Sequence, residues 1–276
     1  MLTLVLSTAL AAPFEHRVDA TSTADSLYAE RSAFCPGLPV STRAISGGVT
    51  LFGDLEGLGI NSMEIDAGIR FSAGWYGLGI RDASVTGTFW GVETSTTCAP
   101  PYINTLLRRR ESTGDSVLPD GEIRVRCPAG YSVIGGSFRT TGGPANRVIS
   151  ASAPVGAQSW RGEWKDLNPS TVELERIYPE VALTCMPNAQ YAARIVRTYA
   201  EAGGPGQSTA VAYCPPGAQV VGGGAEVLPA VPGVVLTASA PDVVGAPGTG
   251  WVASAHEVEP AVDAWVVVAT AICLMP

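Results

Sequence analysis

Catalysis in this 276-residue chain would have to run through two histidines, His16 and His256, six cysteines and 25 Asp and Glu residues. A serine or cysteine nucleophile needs a base within hydrogen-bond reach. His256 is the candidate, since His16 lies ahead of the first repeat, and no Gly-x-Ser-x-Gly elbow accompanies it. His256-Glu257 opens like a zinc-binding helix, but no histidine follows four positions on, so the ligand set fails. Carboxylate pairs need no linear signature, because a β-scaffold can bring any two acids to glycosidase separation. Glu173 with Glu175, nearby Glu180, and Glu257 with Glu259 are the candidates. Acids two apart share one face of a strand, and a solvated strand face is the expectation for both. Gly222-Gly223-Gly224 runs into Ala225-Glu226, without the Lys-Ser/Thr of a phosphate loop. The expectation is therefore a non-enzyme, with no catalytic residue, metal or cofactor.

The cysteines point to construction instead. Cys35, Cys98, Cys127, Cys185, Cys214 and Cys273 leave three long gaps near 60 residues separated by two equal short ones. Six cysteines permit 15 connectivities, and spacing alone does not choose. A threefold repeat makes one choice economical: Cys35 with Cys98, Cys127 with Cys185, Cys214 with Cys273. Other residues keep the same register. Cys127-Pro-x-Gly130 and Cys214-Pro-x-Gly217 open two modules, Gly135-Gly136 and Gly222-Gly223 follow at equal offsets, then Ser152-Ala-Pro and Ser239-Ala-Pro, then Trp164 and Trp251. The first module is more divergent, with Cys35-Pro-Gly37, Ser46-Gly47-Gly48 and Gly74-Trp75. Modules are expected over 16–99, 102–186 and 192–275. Self-similarity at a fixed period governs the fold more than any local motif.

These modules must be β-structure. Short β-branched runs such as Val234-Val235-Leu236 and Trp265 to Ile272 are bounded by Pro and Gly clusters. Gly 32 and Pro 21, with charged residues at only 15%, leave little room for long helices. The expectation is an all-β chain of three tandem, disulfide-closed, sandwich-like modules. The alternative is three modules closed around a pseudo-threefold axis, β-prism-like, which the short connections favour.

Location and partners follow from charge and termini. Leu2 to Leu10 is a short apolar stretch ending in Ala9-Leu10-Ala11, so residues 1–11 are expected to be a signal peptide lacking its basic region. Beyond it, no apolar run is long enough to span a bilayer as a helix, and the mature protein is expected to be secreted or on the cell surface. A net charge of −8 repels phosphate backbones, which excludes nucleic acid as a partner. A glycan or another surface protein is the partner to expect.

The aromatic residues are the candidates for contact. Two sets repeat, Trp75, Trp164, Trp251 and Trp90, Tyr178, Trp265, and both are expected to pack in the core near the disulfides. Trp160 has no counterpart in this alignment and is the candidate ligand contact, an exposed stacking platform. Arg108-Arg109-Arg110 reads as a solvated linker face, a protease-sensitive joint or an anion-contacting patch.

The order Cys-Pro-x-Gly, Val-x-Gly-Gly-Gly, Ser-x-Pro, Gly-Trp and closing Cys resembles a repeat of secreted and cell-surface bacterial proteins with no established activity. Its plan, opening on Cys-Pro-x-Gly and closing on Cys three times, is also similar to that of the vitelline membrane outer layer protein, a threefold β-prism, without that family's Asp-Asp-Thr-Ala motif. The resemblance implies an extracellular module used for display or contact. The functional expectation is a structural or binding module, with a carbohydrate-binding protein as alternative and a glycoside hydrolase behind both.

Overall fold

A computed structural model describes residues 14–21, 27–35, 43–66, 74–82, 85, 89–99, 107–112, 120–141, 147–166, 176–191, 195–242, 249–258, 261 and 263–275. The proposed signal segment, Glu173, Glu175 and Glu259 lie outside the described residues. The chain is all-β, and among the described residues one helical turn occurs, at Asn188–Tyr191. The first module supplies β1 Phe14–Thr21, β2 Tyr28–Phe34, β3 Arg43–Gly53, β4 Leu58–Asp66, β5 Gly74–Arg81 and β6 Trp90–Ala99. The second supplies β7 Leu107–Ser112, β8 Gly121–Arg126, β9 Tyr131–Thr141, β10 Arg147–Val155, β11 Ser159–Asp166 and β12 Tyr178–Pro187. The third supplies β13 Ile195–Gly203, β14 Gln207–Tyr213, β15 Gln219–Leu228, β16 Val234–Pro241, β17 Gly250–Glu257 and β18 Val266–Leu274. The disulfides are Cys35–Cys98, Cys127–Cys185 and Cys214–Cys273, one per module.

Three antiparallel six-stranded sheets result. Sheet I runs β1-β6-β3-β16-β17-β14, sheet II β2-β5-β4-β9-β12-β7, and sheet III β13-β18-β15-β10-β11-β8. Each sheet therefore takes three strands from one module and three from another, in cyclic order. Of the two expected arrangements, this is modules closed around one axis, since no sheet belongs to a single module. The seams are short. Only two residue pairs join β16 to β3, β10 to β15 and β4 to β9.

Bulges repeat at the same places and aim the chain at the axis. Ile45, Ile134 and Val221 are the extra residues on β3, β9 and β15. A bulge bends its strand and sharpens the twist. The next residues, Ser46, Gly135 and Gly222, meet in a ring: a Cβ on Gly135 would strike the Ile45 carbonyl, and one on Gly222 the Ile134 carbonyl. Ser46 closes the ring by donating from Oγ to the Val221 carbonyl at 2.7 Å. A second set of bulges falls at Asn61, Ser150 and Thr237. Near it a second axial layer forms, where a Cβ on Gly59 would lie 2.5 Å from Val148 Cγ1 and 3.6 Å from Val235 Cβ.

The adjoining glycines hold the sheets together face to face. Gly47, Gly136 and Gly223 have no room for a Cβ because Trp75, Trp160 and Trp251 lie on them. All three indoles are 0–1% exposed. Trp160 is thus the repeated core tryptophan, and Trp164 is the extra one. The alignment by offset misleads because the β10–β11 hairpin is shorter: Pro154 pairs with Trp160 and Pro241 with Trp251, six and ten residues apart. Likewise buried Ile177, not exposed Tyr178, stands where the other modules place Trp90 and Trp265, eight residues before the closing cysteine.

The three indole N–H groups fare differently. Trp160 Nε1 donates to Ser152 Oγ (3.1 Å) and Trp251 Nε1 to Ser239 Oγ (3.2 Å). Met63 takes that place in the first module, paired with Gly77 as Ser152 is with Gly162, and Trp75 Nε1 has no acceptor among the described residues. A buried hydrogen bond contributes about 1 kcal/mol net, and an unpaired donor carries a cost. Trp160→Phe should therefore destabilise by about 1–2 kcal/mol more than Trp75→Phe, measured as paired urea denaturation midpoints.

Candidate functional site

An exposed tryptophan platform at position 160 is not available, since Trp160 fills the interior. Lining side chains converge instead at one end of the β8–β11 strand pair. There the start of β8, the end of β11 and the segment 230–232 from the third module enclose a cleft of about 440 Å³. That is within the range for small-molecule sites. Its wall includes Trp164, whose ring lies on Gly121 and stacks on Phe138 with centroids 6.1 Å apart. Only 3% of Trp164 is exposed, so it forms wall rather than platform.

Four carboxylates face this space: Asp120, Glu122, Glu163 and Asp166. Arg161 gathers two of them, at 3.6 Å from Glu122 Oε2 and 3.9 Å from Glu163 Oε2, and binds Glu226 across the seam of sheet III. Ser150 Oγ also donates to Glu163 (3.0 Å), and Glu122 pairs with Arg124. Burial pushes the Glu226 carboxyl up, against the pull of Arg161. Asp166 is paired with Arg147, which is 0% exposed; burial raises its carboxyl against the Arg147 charge, and Asp120 adds to the rise. Behind them, Asn61 Nδ2 donates to the Arg147 carbonyl (2.7 Å) and to Thr140 Oγ1 (3.0 Å), tying the first module to the second.

Lys165 completes the cleft. It is the only lysine in the chain, against 16 arginines. It is 9% exposed, and Nζ donates to the Val231 carbonyl (2.7 Å), joining β11 to the segment that closes the cleft. Burial pushes its ammonium down to about 8, with the Glu163 charge opposing. Below pH 8 the folded state carries a buried charge that the unfolded chain keeps in water. Between about 8 and 10.5 the unfolded chain holds a proton that the folded chain has lost, so this group makes stability rise with pH. The increment is roughly 3 kcal/mol in full. Urea midpoints measured from pH 7 to 11 should show the rise in the native protein and lose it in Lys165→Met.

The other sequence candidates do not join this site. His256 is the next-to-last residue of β17, half-buried opposite Val235, where burial pushes its imidazole down. Glu257 accepts from Trp265 Nε1 (2.8 Å) and the Gly206 amide (3.1 Å), which hold its carboxyl low. Glu180 pairs with Arg139 (3.2 Å), which also grips Glu64 (2.8 Å) across the seam of sheet II. Arg108, Arg109 and Arg110 belong to strand β7, paired with Thr184, Leu183 and Ala182, and so do not form a linker. His16 lies in β1 opposite Thr96. No group of three or more metal-ligating side chains occurs among the described residues. Lysine usage, one against sixteen, was the signal in the sequence for Lys165.

A disulfide-stapled, all-β, threefold chain with an acidic cleft between its second and third modules is the class of protein that fold and site define. No family model matches it, and no curated protein does. Three disulfides are consistent with an extracellular location. Among the described residues no helix is long and apolar enough to cross a membrane.

Proposed function

We propose that the protein is a non-catalytic binding module of a secreted or cell-surface layer and takes its ligand in the cleft beside β11. The observation that carries this reading is a local departure from threefold likeness. Where the second module places Trp164, Lys165 and Asp166, the pairing puts Gly79, Ile80 and Arg81 in the first and Ala255, His256 and Glu257 in the third. The shared scaffold does not need these three side chains, and they line an opening.

Non-catalysis is supported by the arginines that hold the acids. A glycosidase needs one protonated carboxylic acid and one free carboxylate flanking the bond. Three of the four cleft carboxylates are instead engaged, Glu122 and Glu163 by Arg161 and Asp166 by Arg147. A glycan remains the second reading, favoured by four carboxylate acceptors and an ammonium donor in one cleft. A glycan array probed with the native protein and with Ala230→Trp, which fills the cleft from an exposed position, tests the site. Retention by the native protein and loss in the variant supports it. Equal retention by both places binding elsewhere and removes the cleft from the proposal.

A further inference from the structure

Lys165 is not explained by charge alone. Sixteen other cationic positions in this chain are arginine. An arginine would carry positive charge into the cleft and hydrogen-bond the Val231 carbonyl with more donors than lysine has. What it cannot do is lose its proton and attack, since a guanidinium stays charged in proteins. A lysine in a desolvated pocket does both.

We propose that the cleft is a carbonyl-capture site, in which the ε-amine of Lys165 condenses reversibly with a small uncharged aldehyde held between β11 and the segment 230–232. The inference rests on the cleft being the binding site, as argued above. Its geometry provides three things. The Nζ–Val231 bond (2.7 Å) uses one N–H and fixes the direction of the amine, while the neutral amine keeps its lone pair. Ala230, Val231 and Pro232 form an apolar side with no titratable group, which disfavours the ammonium. The facing charges are Glu163 and Asp166 on β11, Asp120 and Glu122 at β8, and Arg147 on β10 behind Asp166. Their carboxylates repel anionic carbonyl compounds, so an uncharged aldehyde is the class that fits. The downward push on the ammonium, to about 8, agrees with this placement.

The chemistry balances without a further reagent. The nitrogen lone pair forms a C–N bond to the aldehyde carbon, and the C=O π pair moves to oxygen. The nitrogen loses a proton to water and the oxygen gains one from water, giving a carbinolamine. A hydronium proton takes the hydroxyl off as water while the nitrogen pair forms C=N. The resulting iminium returns that proton to water. The sum is amine plus aldehyde giving imine plus one water, and added water reverses it.

Reductive trapping reads the reaction directly. The intact protein is incubated with propionaldehyde and sodium cyanoborohydride from pH 6 to 10, and peptides are mapped by mass spectrometry. The α-amine is scored separately on its own peptide. At pH 7.5 an amine titrating near 8 is neutral about a quarter of the time, against about a thousandth for an ordinary lysine. Allowing for burial, Lys165 should be labelled at least tenfold faster in the folded protein than in urea, with a rate midpoint near pH 8. Ala230→Trp should slow the folded rate at least tenfold and leave the rate in urea unchanged. Labelling that is slower in the folded protein, or equal in both states, overturns the proposal. Loss of array binding in Ala230→Trp without trapped adduct in the native protein would leave the binding reading standing and remove carbonyl capture alone.

Discussion

Gly222→Val should cost at least about 3 kcal/mol, the upper end for an overpacked interior, and lower the melting temperature by roughly 6–12 °C. The atom in the way is the Ile134 carbonyl oxygen, with the Gly135 Cα 3.2 Å from where the Cβ would sit. Neither is a flexible side-chain end, so relief requires moving β9 away from the axis. That displacement propagates, because Gly135 in turn abuts the Ile45 carbonyl and Ser46 Cβ, and Ser46 bonds the Val221 carbonyl next to Gly222. The ring has one tolerant member. Ser46→Gly removes only the Oγ–carbonyl bond and should cost about 1 kcal/mol. Calorimetry of Gly222→Val, Gly135→Val and Ser46→Gly measures the difference; equal small losses in all three would mean that the axial contact does not hold the modules together.

This ring shows what sequence can and cannot convey. The Gly-Gly pairs and the cysteines were legible because their constraints are steric and covalent, hence fixed in residue type and spacing. All-β structure followed from the same punctuation. Which module supplies which half of a sheet was not legible, because each seam is two residue pairs such as Ala238–Thr50 and Ser239–Val49, with no pattern to mark them. The tryptophan was misplaced for another reason. Trp164 sits at the repeat offset only because the hairpin ahead of Trp160 is four residues shorter, and the contact that settles the matter, Gly136 beneath the Trp160 ring, joins residues 24 apart. The cleft was hidden more deeply, since its Lys165–Val231 bond spans 66 positions and two modules.

Asp166→Asn should be the most damaging single change near the cleft, at about 3–5 kcal/mol. Arg147 is fully buried and Asp166 is 8% exposed, so the pair has little access to water. The asparagine keeps the shape and one carbonyl acceptor, which confines the loss to charge: a buried guanidinium loses the Asp166 counter-charge. Arg147→Met leaves the opposite defect, a buried carboxyl, but Asp166 can take up a proton, and its pKa is already pushed upward. The cost of Arg147→Met should accordingly shrink as pH falls, whereas that of Asp166→Asn should not, because arginine stays charged across the accessible range. Replacing both, as Arg147→Met with Asp166→Leu, should recover most of the loss, since a buried ion pair is often matched by apolar residues of similar volume. Urea denaturation of the two single variants and the double at pH 5 and pH 8 gives the coupling as a double-mutant cycle. Additive losses would mean that Arg147 and Asp166 are compensated separately; a positive coupling of a few kcal/mol would mean that the ion pair holds the floor of the cleft.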